Sequence, residues 1–111
     1  MKINTQNYNE VAIVELQGEF VSDYIKAFQD TVQRLIDEKM TGIVLDMKEV
    51  TFIDSQCLEQ LLWLRDHCNE NNSQLKLAGL AETCEKILEI TRLQLELDIY
   101  DELAEAVKSF V

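Results

Sequence analysis

A chain of 111 residues, 47% of them hydrophobic, can fill one core without disulfide or metal staples. Proline is absent and glycine occurs three times, so no linker divides it. A net charge of −11 repels phosphate backbones and anionic lipid, which argues against nucleic-acid and membrane partners.

In chain order, "KINTQNYN" reads as a first short strand. The turn "YNE" leads into "VAIVELQ", whose nearly continuous apolar run predicts a strand covered on both faces and ended by Gly18. From Ser22 to about Lys39, the apolar residues Tyr24, Ile25, Phe28, Val32, Leu35 and Ile36 draw one stripe on a helix. Ser22 is its expected N-cap, with Gly42 just past its end. "GIVLDM" predicts a β-branched strand that continues through "KEV" to "TFID".

After Ser55 a second helix is expected, with Cys57, Leu58, Leu61, Leu62, Leu64 and Cys68 inward, and "NENNSQ" breaks it. "LKLAG" predicts a strand, and a third helix follows from about Ala81 to Arg92. "LQLELDIY" alternates strictly and predicts a strand with one wet face near a sheet edge. A last helix is expected from about Asp101 to Phe110, with Asp101 and Glu102 at the favourable end of its dipole. The order β-β-α-β-α-β-α-β-α predicts an α/β fold, a mostly parallel or mixed sheet of four to five strands with helices packed on it. Such sheets place function where strands give way to helices, and "TFIDSQC" is one such junction.

Chemistry at Asp54-Ser55 is constrained by what surrounds it. A serine nucleophile needs a base, but the one histidine, His67, lies roughly 18 Å along the same helix. Neither a Gly-x-Ser-x-Gly elbow nor a glycine-rich phosphate loop occurs, so no enzyme is nominated and no cofactor is expected. A phosphoaspartate receiver centred on Asp46 would need an acidic pair after an early strand and a late lysine; "LQGE" and "LAGLAE" supply neither. Cys57, Cys68 and Cys84 form no Cys-x-x-Cys pair, which argues against zinc and agrees with a reducing compartment. With no signal-peptide core in "MKINTQNYNE", a cytoplasmic location is expected. Ser55 can be read simply as a helix N-cap, but Leu58 and Cys57 stand where a capping-box Glu or Gln would, so the pair does not read as an optimised cap.

"IVLDMKEVTFIDSQCLEQLL" resembles the central motif of the STAS domain, the fold of bacterial anti-sigma factor antagonists, in which an apolar strand ends in Asp-Ser and opens a leucine-rich helix. "VAIVELQGEF", "LKLAGL" and "LELDIYDELAEAV" extend the likeness over residues 1–111 as a single domain. The resemblance implies that Ser55 is a phosphoacceptor. It implies a serine kinase of the histidine-kinase-like ATPase fold, often itself the anti-sigma factor, as partner, and a metal-dependent serine phosphatase that removes the mark. Asp54, Ser55, Gln56, Cys57 and Glu59 are the implied partner-contact residues. Gln56 and Cys57 stand where the family has a small residue and glycine, and Val21 where many relatives have aspartate. These departures leave open a second reading, an unphosphorylated STAS scaffold or accessory subunit of a signalling or transport complex.

Overall fold

A computed structural model describes residues 1–110. Five strands form one sheet in chain order: β1 (Lys2–Tyr8), β2 (Val11–Phe20), β3 (Gly42–Ile53), β4 (Gln74–Ala78) and β5 (Ile99–Tyr100). β1 and β2 are an antiparallel hairpin; the other pairings are parallel, so the sheet is mixed. Asn9 takes the left-handed conformation (φ 58°) that closes the hairpin, a conformation asparagine tolerates well. Helices α1 (Ile25–Asp37), α2 (Ser55–Glu70), α3 (Glu82–Ile90) and α4 (Leu103–Lys108) complete the predicted order.

The sheet buries its two faces unequally. Ala12, Val14 and Leu16 of β2, Ile43, Leu45 and Met47 of β3, and Leu75 and Leu77 of β4 form one continuous core with α1, α2 and α3. From α1 that core takes Phe28, Val32, Leu35 and Ile36, four members of the predicted stripe. Among the described residues the opposite face is covered only by α4 and the residues that follow it, over a smaller cluster of Val11, Val44, Ala78 and Ala106. β2 is thus sealed on one side, while Ile13 and Glu15 on the other stay half-buried. A strand covered on both faces holds for only part of its length.

Three local expectations are corrected. Gly18 does not end its strand: it sits at φ +104°, beside register shifts against β3, and β2 runs on to Phe20. A positive φ at a bulge suits glycine, and the kink lets the strand continue. Ser22 is not a cap; it opens a 3-10 turn (Ser22–Tyr24) ahead of α1. "LQLELDIY" is mostly not a strand: Leu93–Leu95 is a 3-10 turn entered through left-handed Arg92 (φ 62°), and only Ile99 and Tyr100 pair with β4. Alternation alone does not make a strand, since each rung needs a neighbour: β4 begins at Gln74, but the chain comes alongside it to pair only at Leu77 and Ala78.

Lys76, on the α4 side of β4, is buried rather than wet. Its ammonium donates to the Ser109 hydroxyl, stands 4.2 Å from the centre of the Phe110 ring and lies 4.0 Å from an Asp98 oxygen. A buried cation with these partners fastens the end of α4 to the sheet. Phe110 also covers Gly42, where an added Cβ would lie 2.5 Å from the ring. Gly42→Ala is therefore expected to expel Phe110 and cost about 1–3 kcal/mol in urea unfolding. In that background Phe110→Ala should cost little more, because the ring has already lost its seat; full additivity would show that the two do not touch.

Candidate functional site

β3 outlasts β4. Its pairing with β4 stops at Asp46, whereas its pairing with β2 continues to Ile53 against Phe20. The strand end is anchored by buried Ile53 and by the Asp54 N–H, which donates to the Phe20 carbonyl at 3.1 Å. α2 starts at the next residue. The Asp54–Ser55 pair therefore sits on a rigid strand end beside the start of α1.

Asp54, not Ser55, is the N-cap of α2, and it caps without a capping-box Glu or Gln. One carboxylate oxygen accepts the Cys57 N–H at 2.9 Å, and the other accepts the Ser22 N–H at 2.9 Å. A capping box is dispensable here because the Asp54 N–H that its Glu or Gln would accept already donates to the Phe20 carbonyl, while the second carboxylate oxygen finds its donor 32 residues away, in the turn before α1. One side chain ties two strand-to-helix junctions together. These N–H donors hold the Asp54 carboxyl below its ordinary value, Cys57 contributing most and partial burial opposing. A carboxyl lowered on folding adds stability that is present above its unfolded pKa and lost as pH falls through its folded one. Asp54→Asn keeps an acceptor but loses the charge, so its deficit in thermal stability should be full at neutral pH, shrink as pH falls below the ordinary aspartate value of about 3.9, and vanish once the folded-state carboxyl is protonated. Asp54→Ala should cost about 1–2 kcal/mol at pH 7. A pH-independent deficit for the asparagine variant would show that charge plays no part.

With Asp54 as the cap, Ser55 is released from that duty. It is the first residue of α2 and exposed. Gln56 and Glu59 are also exposed, and Glu59, one turn on, shares the helix face of Ser55. Cys57 is the exception among the five predicted contact residues: its side chain is fully buried, and burial with the nearby Asp54 pushes its thiol up to about 12. The third position of this helix turns into the core, so the thiol faces away from any partner and leaves the outer surface uncrowded. Val21 is half-buried and precedes Ser22, so it borders the site through the Ser22–Asp54 bond.

Phe52 was not singled out by sequence reasoning. It is 43% exposed and pairs with Glu19 beside the site. Nothing in "TFID" sets it apart; the strand pairing is what places it outside. Asp23, at the Ser22 turn, is exposed too, so the surround is acidic with one aromatic at its edge. His67 is far from this surface, bonded to Gln33 at 2.7 Å and stacked on Trp63. Among the described residues, no cluster of three or more His, Cys, Asp or Glu could hold a metal ion, and no helix is long and apolar enough to cross a membrane.

The sequence model of the STAS domain matches residues 2–106. The chain belongs to the STAS domain family. This STAS domain is 32% identical over 81 residues to an STAS-domain containing protein of Pseudomonas aeruginosa (strain UCBPP-PA14), a match spanning 73% of this chain and 79% of that one. Its fold is similar to an anti-sigma factor antagonist from Mycobacterium paratuberculosis, with TM-score 0.87, 16% identity, and coverage of 97% and 92% of the two chains. It is also similar to the Bacillus cell fate determinant SpoIIAA in its phosphorylated form, with TM-score 0.77, 15% identity, and coverage of 99% and 100%. At these identities the two structures speak for the fold alone. The element order of this chain is the one its hydrophobic periodicity predicts.

Proposed function

We propose that this STAS domain is a binding switch of the anti-sigma factor antagonist type. Unmodified, it engages an anti-sigma factor that is also a serine kinase of the histidine-kinase-like ATPase fold; phosphorylation of Ser55 releases it, and a metal-dependent serine phosphatase resets it. The observation that carries this reading is the division of labour between neighbours. Asp54 makes the hydrogen bonds that close the helix start, and the Ser55 hydroxyl is left exposed. A fold of this kind also tolerates the mark, since SpoIIAA is known both unphosphorylated and phosphorylated.

Phosphoserine adds about −1.5 to −2 charges at neutral pH. At the start of α2 the helix dipole returns about 0.3–1 kcal/mol for a favourable charge, so the fold is expected to hold. A partner docked over Ser55, Gln56, Glu59 and Phe52 would instead meet a dianion beside Asp23, Asp54 and Glu59. Incubation with the cognate kinase and ATP should add one phosphate, read by intact mass, and Ser55→Ala should abolish it. Equal labelling of the alanine variant would end the assignment.

Gln56 favours the second reading, an unphosphorylated scaffold, because a long amide stands exposed beside the hydroxyl where the family resemblance expects a small side chain. Partner affinity that ignores both Ser55→Ala and Ser55→Asp would select it.

A further inference from the structure

At the β5 edge of the sheet, α3 and the segment entering β5 enclose a groove of about 630 Å³. Four of its lining residues are apolar: Leu88 and Leu97 are buried, and Leu80 and Ile99 are half-buried. Four exposed carboxylates, Glu85, Glu89, Asp98 and Asp101, also line it, and none of its lining residues is lysine or arginine. Of the four, only Asp98 lies within ion-pair distance of a cation among the described residues, Lys76 at 4.0 Å. The groove also holds the amide oxygen of Gln94, buried without a hydrogen-bond partner among the described residues. The two most exposed large apolar side chains of the described residues, Ile90 (83%) and Leu95 (75%), directly follow the lining residues Glu89 and Gln94.

We propose that this groove docks a segment of a partner protein in which lysine or arginine side chains are interleaved with large apolar ones. The lining is rich in acceptors, so its occupant must bring donors. Lysine and arginine do so while laying their aliphatic stems on the half-buried Leu80 and Ile99. Ile90 and Leu95 supply apolar contact that water otherwise wets. A second copy of a chain with net charge −11 has the wrong sign for this surface, as does nucleic acid. The groove shares no lining residue with the Ser55 surface, so the inference stands apart from the proposed phosphorylation. One surface can hold the domain in an assembly while the other is switched.

The test uses the intact protein and a short fluorescein-labelled peptide in which leucine and arginine alternate. Saturable binding is expected, with NMR amide shifts concentrated in residues 85–101. Glu85→Gln with Glu89→Gln should weaken binding about fivefold or more, and Ile90→Ser with Leu95→Ser should do the same. Asp37→Asn with Glu70→Gln removes the same charge elsewhere and should leave affinity unchanged. No binding, equal weakening by the remote charge variant, or shifts spread over the whole acidic surface would overturn the proposal. Tight binding of spermine in the groove without binding of the peptide would also overturn it, in favour of a small polycation.

Discussion

Replacing Ser55 with aspartate is expected to lower affinity for the regulatory partner about a hundredfold while leaving thermal unfolding almost unchanged. The two halves of that outcome have separate causes. Stability is spared because residue 55 is exposed, its side chain takes no part in the cap, and a negative charge at a helix start is mildly favourable. Affinity suffers because a docked interface must leave that charge unpaired or set it against the partner's own carboxylates, at a cost of several kcal/mol. Titration calorimetry against the partner and a thermal melt of the free variant read the two separately. Unaltered affinity would remove Ser55 from the interface. A large fall in melting temperature would show that the serine supports the fold instead, and the switch would then be a loss of structure.

The largest structural effect is expected at Phe20. Its ring is fully buried, 5.0 Å from that of Phe28 at an interplanar angle of 51°, and fixes the start of α1 against the sheet. Phe20→Ala should cost about 3–5 kcal/mol, a large share of the total stability of about 5–15 kcal/mol of a typical domain. Phe20→Leu keeps most of the volume and should cost less than about 1.5 kcal/mol. The consequence extends to the candidate site, because the Phe20 carbonyl receives the Asp54 N–H that places the start of α2. Urea unfolding of the two variants checks the order, and an alanine penalty below about 1 kcal/mol would mean that the cavity collapses freely.

The unequal sheet faces bear on both surfaces. α1, α2 and α3 share one core, so the α2 start is held from several sides and offers a pre-formed surface to a partner. α4 is short, six residues, and depends on Lys76 and Phe110 for its seat. The side of the sheet with the larger core carries the Ser55 site, as the proposed switch, which acts on binding while the fold holds, requires.

Residue order alone determined the succession of strands and helices, the inward stripe Phe28, Val32, Leu35 and Ile36, and the strand-to-helix junction that presents Ser55. These follow from short-range rules: period 2, period 3.6 and turn chemistry, each legible within a window of a few residues. The tertiary structure decided the rest. It brought the Ser22 N–H to the second oxygen of Asp54, and it left Phe52 out. It buried Lys76 beneath α4 and cut an eight-residue alternating run to the two residues that come alongside β4. Each of these depends on a neighbour distant in sequence, and a local pattern carries no information about which distant group will supply the missing hydrogen bond or cover the exposed face.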